Sequence, residues 1–455
     1  MSSAADSSPP SVDGSVIDGR TLLAAKPPLG WNSFNSYGVY LHDAAAMANA
    51  RAMAAWLRPH GYEYFVIDNG WFGEYALRPG TRYAAEKHAG DVRLNEHGYF
   101  LPSRTCFPDG FEHIVRFCRE HGLKFGLHLM RGIPRKACEL NLPIEGTPYT
   151  ARDIANFDPK ENCTWCHYCH GVDMTKPGAQ AWYDGLIRHV ADLGVEMIKY
   201  DDIVEHPDEV EALAKAIAKT GKPILLSLSP GGAVDPAAIE FFRLGNMLRV
   251  THDVWDEQKD IEACFAAWEK WRGHEHPGFW IDMDMLPFGQ LQLMSPPGGE
   301  IGTEASTSAT IALAGKGTHR WSKLTRAQMR TFITLRALAA SPLMMGGDLP
   351  TLDPYSLRLI TDPDMLACNQ NGVMGNRIRR DGGIDIWRTP DRADAAKGWL
   401  GVFNRTAAPA DFVITAAVLG LSAASRLHDV WGARPLACGE TVTLEAHDAL
   451  FLRIT

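Results

Sequence analysis

Short β-type runs and helix-period stretches alternate eight times along the first three quarters of this chain, and that alternation limits its fold more than any other feature. The runs are PPLGWNSF (27–34), YEYFVID (62–68), LKFGLHL (123–129), VEMIKYD (195–201), PILLSLS (223–229), MLRVTHD (247–253), PGFWIDMDM (277–285) and PLMMGGD (342–348). Between them lie helical patterns over 43–61, 110–122, 177–194, 206–221, 235–245, 256–271 and 325–341, with a last one expected within 353–372. Asp43 is placed to cap the first helix and Gly61 to end it, while Pro177 suits the first turn of the third. Eight strands with crossover helices and no break in the pattern predict an α/β fold of the closed parallel type, a (β/α)8 TIM barrel, rather than an open doubly wound sheet. Beyond about Asn376 the pattern changes to short alternating runs (IDIWRT, WLGVFNR, DFVITAAV, RLHDVWG, ETVTLEA, ALFLRIT) joined by turn residues, which predict a small antiparallel β-sandwich. The expected division is a disordered tail over 1–25, a catalytic barrel over 26–375 and a β-sandwich over 376–455.

Barrel enzymes keep their chemistry at the C-terminal strand ends. Asp68, His128, Asp201, Ser229, Asp253, Asp282 and Asp284 all fall there. The densest stretch is MIKYDD (197–202), where alternation puts Lys199 on the same face as Asp201, so that its cation keeps the carboxylate ionised and nucleophilic. Asp201 and Asp202 each have a second reading, as the N-cap of the next helix. In RVTHD, Arg249 precedes Asp253 by four positions, as a local ion pair or as part of a site. Two carboxylates in unequal surroundings at one barrel mouth suit glycoside hydrolysis. Asp201 would attack the anomeric carbon. Asp253 would hold the proton for the departing oxygen, helped by partial burial or by its ionised neighbour. Trp31, Trp71, Trp165 and Trp280 divide between core packing and apolar platforms for a sugar face.

Composition excludes other classes. A formal charge of −9 without a basic block leaves no electrostatic footprint for nucleic acid. The first 19 residues have neither a charged n-region nor an apolar h-region, and no stretch reaches about 18 apolar residues, so neither a signal nor a membrane span is expected. Nine cysteines, an odd number, suit a reducing cytoplasm better than a disulfide framework. CTWCHYCH (163–170) has the spacing of a zinc or iron–sulfur site without a second thiol cluster. A two-carboxylate mechanism needs no metal, and no cofactor is expected. The partner expected is a carbohydrate, and the oligomeric state is left open.

With these residues in view the chain resembles glycoside hydrolase family 27, the melibiase-type α-galactosidases and α-N-acetylgalactosaminidases. LGWNSFNSYG (29–38), FVIDNGW (65–71), LKFGLHL (123–129), IKYDD (198–202), RVTHD (249–253), WIDMDML (280–286) and the run ASPLMMGGDL…LACNQN (340–371) are similar to its successive motifs, in order. The resemblance implies a retaining exo-glycosidase with Asp201 as nucleophile and Asp253 as acid/base. It implies sugar contacts by Asp68, Lys199, Arg249 and Asp284, an aromatic pocket wall at Phe34, and a pocket loop that accounts for Cys163 and Trp165 without metal. The departures are specific. Where the family has two consecutive acids at the second strand end, this chain has Asp68 and Asn69. His128 replaces a usual tyrosine, and MRGIPRKA (130–137) replaces a small Cys-containing segment, bringing Arg131 and Arg135 toward the mouth. A small Ser229 could leave room for a larger group on the sugar. The sugar is therefore open among α-galactosides, β-L-arabinopyranosides and α-glucans, and a carbohydrate-binding protein without activity is the reading from another class.

Overall fold

The computed structural model describes residues 16–17, 20–76, 89–163, 165–203, 206–232, 234–294, 316–421 and 425–455. Eight parallel strands form the barrel: β1 (Leu29–Asn32), β2 (Tyr64–Ile67), β3 (Lys124–Met130), β4 (Met197–Asp201), β5 (Leu225–Ser229), β6 (Met247–Arg249), β7 (Trp280–Asp282, resumed at Met285–Leu286) and β8 (Leu343–Met345). Each pairs with the next, and β8 pairs with β1. The ring closes through β7. Its first segment bonds to β6 and its second to β8, with Met283 and Asp284 between them. Asp284 has a φ of +68°, a left-handed conformation that breaks the pleat and turns the strand between its two neighbours.

The crossover helices are α1 (Asp43–Ala52), α2 (Glu112–Glu120), α3 (Ala179–Asp192), α4 (Pro207–Thr220), α5 (Ile239–Phe242), α6 (Gln258–Trp271), α7 (Arg326–Leu338), α8 (Pro354–Thr361) and α9 (Pro363–Gln370). Several ends differ from expectation. His42, not Asp43, caps α1 by accepting the Ala45 N–H, and Pro177 lies ahead of α3, whose N-cap is Gly178. Asp201 and Asp202 cap nothing, since α4 starts at Pro207 with His206 before it. The stretch 235–245 supplies only a 3-10 turn and the four-residue α5, and 353–372 splits in two where Asp362 ends α8 and caps α9. Gly61 does end the first helical segment, with φ +93°.

The tail expected over 1–25 falls partly on residues outside those described, 1–15 and 18–19. Its last residues are packed, because the Ala24 carbonyl accepts both the Trp280 Nε1–H (2.7 Å) and the Gly278 N–H (2.8 Å).

The C-terminal part is antiparallel: β9 (Asn376–Asp381), β10 (Ile384–Pro390), β11 (Gly398–Asn404), β12 (Ala410–Val413), β13 (Leu427–Asp429), β14 (Arg434–Leu436), β15 (Thr441–Leu444) and β16 (Ala449–Ile454). Six form one sheet in the order β9-β10-β11-β16-β13-β14, and β12 pairs with β15. Ile386, Leu400, Val402, Phe412, Leu444 and Leu452 pack between them, which is the expected sandwich. The large sheet's other face lies on the barrel. Trp387 stacks on Trp268 at 3.8 Å, Phe403 meets Phe265 edge-on, and Arg330 is ion-paired to Asp448 at 2.6 Å.

Candidate active site

At the C-terminal mouth of the barrel lies a cavity of about 530 Å³, lined by Phe34, Asp68, Asn69, His128, Trp165, Lys199, Asp201, Asp202, Pro230, Gly231, Arg249, His252, Asp253, Trp255, Met285 and Lys316. Its floor is built where β2 ends. Gly70, with φ +95° and no room for a Cβ against the Val39 carbonyl (2.4 Å), turns the chain directly after Asp68 and Asn69. The Asp68 carboxylate accepts from Lys199 Nζ at 2.8 Å, Asn32 Nδ2 at 2.7 Å and the Asn69 N–H at 2.8 Å. Burial alone would raise its pKa. The charges of Lys199 and His128 and the bonds from Lys199 and Asn69 outweigh that and hold it well below the usual carboxylate range. Lys199 also lies 5.9 Å from the Phe34 ring centre, so the expected aromatic wall carries a cation against it.

Asp201 ends β4, and its register partner on β5 is Ser229. Its Oδ2 lies 3.3 Å from His128 Nε2, its Oδ1 accepts the Asp202 N–H at 2.9 Å, and Arg249 Nη2 is 4.0 Å from Oδ1. Burial pushes its pKa up, but the His128 hydrogen bond and the charges of Arg249, His128 and Lys199 bring it below the ordinary value, so the carboxylate is ionised. Lys199, expected from alternation to keep Asp201 ionised, contributes its charge without a hydrogen bond to it. Lys199 is hydrogen-bonded to Asp68, and the groups nearest Asp201 are His128 and Arg249.

Asp253 lies four residues past the end of β6, with its side chain 41% exposed against 12% for Asp201. Arg249 Nη1 contacts Asp253 Oδ1 at 2.7 Å. One guanidinium thus stands between the two carboxylates, and the ion-pair and site readings of Arg249 hold together. Asp284, expected to touch sugar, is 3% exposed and lies behind the cavity wall. Its Oδ2 accepts the Val254 N–H at 2.7 Å and sits 3.8 Å from Arg249 Nη1, so it fixes the residue after Asp253 and backs the guanidinium. Burial pushes the Asp284 carboxyl up, against the opposing charge of Arg249. Arg336 braces the break in β7 by donating to the carbonyls of Met283 (2.5 Å) and Pro342 (2.6 Å).

Of the residues expected in the site, Phe34, Asp68, Asn69, His128, Trp165, Lys199, Asp201, Arg249 and Asp253 meet in one cavity. Ser229 and Asp284 do not line it. Ser229 is 1% exposed, its Oγ is buried without a hydrogen-bond partner, and it makes no room at the sugar. Asp282 is buried 3.5 Å from Arg336. Arg131 is 3% exposed and Arg135 donates to the Cys169 carbonyl, so neither reaches the mouth. Trp31, Trp71 and Trp280 are core, their Nε1–H groups spent on the carbonyls of Gly347, His128 and Ala24.

Cys163, Cys166 and Cys169 are buried thiols whose pKa burial raises, and among the described residues no group of His, Cys, Asp or Glu is arranged to hold a metal ion. Nothing in the local pattern singles out Pro230, Gly231, His252, Met285 or Lys316. The first three sit in loops just past β5 and β6, and Lys316 is brought in by an ion pair to Glu257 at 3.0 Å.

A parallel barrel with two carboxylates of unequal exposure at its mouth, one arginine between them and a lysine–aspartate pair on the floor defines a glycoside hydrolase. The chain matches no family model. It is 32% identical to a family 27 β-L-arabinopyranosidase from Geobacillus stearothermophilus, with a TM-score of 0.83 over 95% of this chain and 97% of that one. Among curated proteins it is 22% identical to alpha-galactosidase 2 of Arabidopsis thaliana, over 91% of this chain and 85% of that one. It is 24% identical to an alpha-galactosidase of Cyamopsis tetragonoloba, over 93% and 85%. The chain belongs to glycoside hydrolase family 27.

Proposed function

We propose that this glycoside hydrolase removes a terminal α-galactosyl-type sugar with retention of anomeric configuration. The observation that carries the proposal is Arg249 standing between Asp201 and Asp253. Asp201, ionised and oriented by His128, attacks the anomeric carbon while Asp253 gives a proton to the leaving oxygen. In the second step Asp253 takes a proton from water, which attacks the glycosyl–Asp201 ester. Arg249 contacts both carboxylates throughout, and Asp68 and Lys199 present a fixed acceptor and donor to the hydroxyls of the sugar ring. The relatives named alpha-galactosidase support this class of substrate.

One observation favours a second reading, release of β-L-arabinopyranose, which is α-galactose without its C6 arm. Asn69 lines the cavity, and its Oδ1 is buried without a partner. A neutral amide there grips the hydroxyls of galactose less firmly than a second carboxylate would. The similarity to an arabinopyranosidase, a variant of which is known in complex with arabinose, supports the same reading. Comparing kcat/KM for aryl α-galactoside, α-N-acetylgalactosaminide, α-glucoside and β-L-arabinopyranoside tests both. Preference for the α-glucoside or the acetamido sugar would overturn them. A cytoplasmic location fits the exposed Cys438 thiol and the eight buried free thiols.

A further inference from the structure

The mechanism leaves Asp202 without a role, and its setting calls for one. It follows Asp201 directly, lines the cavity, and adopts a φ of +63°, a left-handed conformation that glycine takes freely and aspartate only occasionally. Observed strain of this kind at a cavity wall points to function. The neighbouring guanidinium donates Nε to the Asp202 carboxylate at 3.2 Å but has three further partners. Arg131 donates Nε to the Asp202 backbone carbonyl at 2.7 Å, Nη1 to Glu209 Oε1 at 2.5 Å and Nη2 to the Glu161 carbonyl at 2.6 Å. A glycine at position 202 would keep all three contacts and suit the backbone better. What aspartate adds is a carboxylate in the cavity, its Oδ2 3.1 Å from Arg131 Nη2 and so aimed by a cation that is itself buried and fixed.

Its place in the cavity is toward the mouth. The Asp202 side chain is 21% exposed, against 12% for Asp201 and 2% for Asp68 on the floor. In an exo-acting pocket the leaving group projects in that direction. The half-buried Trp165 lines the same cavity. An indole and a carboxylate lining one cavity suit a pyranose, whose C–H face packs on the ring while a hydroxyl donates to the carboxylate.

We propose that Asp202 and Trp165 form a subsite for a hydroxylated, sugar-type leaving group, with Asp202 accepting one of its hydroxyls; this rests on the glycosidase reading above. The test compares 4-nitrophenyl α-galactoside, whose leaving group has no alcohol hydroxyl, with melibiose, whose leaving group is glucose, in the wild type, Asp202→Asn and Asp202→Gly. The ratio of kcat/KM for melibiose to that for the aryl glycoside should fall about tenfold or more in both variants, chiefly through KM. Retained kcat/KM on the aryl glycoside shows that Asp202→Gly is folded despite the lost ion pair, which keeps the test valid if the asparagine variant folds poorly. An unchanged ratio in folded Asp202→Gly overturns the subsite alone. A wild type inactive on every aryl glycoside of the panel overturns the glycosidase reading and the subsite with it.

Discussion

Arg249 and Asp253 are joined by a 2.7 Å contact between Nη1 and Oδ1, while the other nitrogen of the same guanidinium lies 4.0 Å from Asp201. The spacing of the pair is therefore held by one buried cation. Arg249→Met keeps length and apolar bulk but removes that cation. Loss of a charged donor at a developing charge costs about 3–4 kcal/mol, so kcat should fall about 10²-fold or more. Full kinetics on an aryl glycoside check this, and a kcat within twofold of wild type would contradict it.

Asp284 acts through Val254 rather than on the sugar. Asp284→Ala should therefore lower kcat about tenfold or more by loosening the Asp253 loop, while KM changes little. A rise in KM at constant kcat would instead restore the sugar contact expected from sequence.

The Asp68–Lys199 pair sets a pH dependence. The folded pKa of Asp68 lies below its unfolded value of about 3.9, so on acidification the unfolded chain takes up the proton first. The stability it contributes is complete above about pH 5 and is lost progressively below that as pH falls toward the folded pKa. Asp201, also held low, adds in the same direction. Thermal melts should show little change in Tm from this pair between about pH 5 and 7, then a steep decline, and Lys199→Met should make the decline shallower. An unaltered acid limb in that variant would contradict the assignment.

How much of this was legible in sequence varies by residue. MIKYDD and RVTHD mark strand ends, a local property, and the structure places both at the mouth. Side-chain partners depend on neighbouring strands and were read less well. Lys199 shares a face with Asp201, yet it reaches across β3 to Asp68, whose Oδ2 it shares with Asn32. The family resemblance implied a sugar contact for Asp284, whose carboxylate, after the left-handed turn in β7, accepts the Val254 N–H instead. The short α5 was overestimated because an apolar 3.6-residue period over 235–245 does not reveal where a chain leaves the helix.

Asn69 tests the choice of sugar. Restoring the carboxylate in Asn69→Asp should raise kcat/KM for aryl α-galactoside about tenfold relative to β-L-arabinopyranoside, since a charged hydrogen bond exceeds a neutral one by about 1–2 kcal/mol. No change in that ratio would make Asn69 a tolerated variation.

Chelation should leave the rate untouched, because proton transfer and attack are assigned to Asp253 and Asp201 alone. Prolonged treatment with a chelator followed by assay checks this. A loss restored by zinc would reassign Cys163, Cys166 and Cys169.

Asp201 as nucleophile carries the mechanism. Proton NMR of the first product released from an aryl glycoside, recorded before mutarotation, tests this most directly. Double displacement through Asp201 releases a sugar with the anomeric configuration of the substrate; a first product of inverted configuration would rule it out.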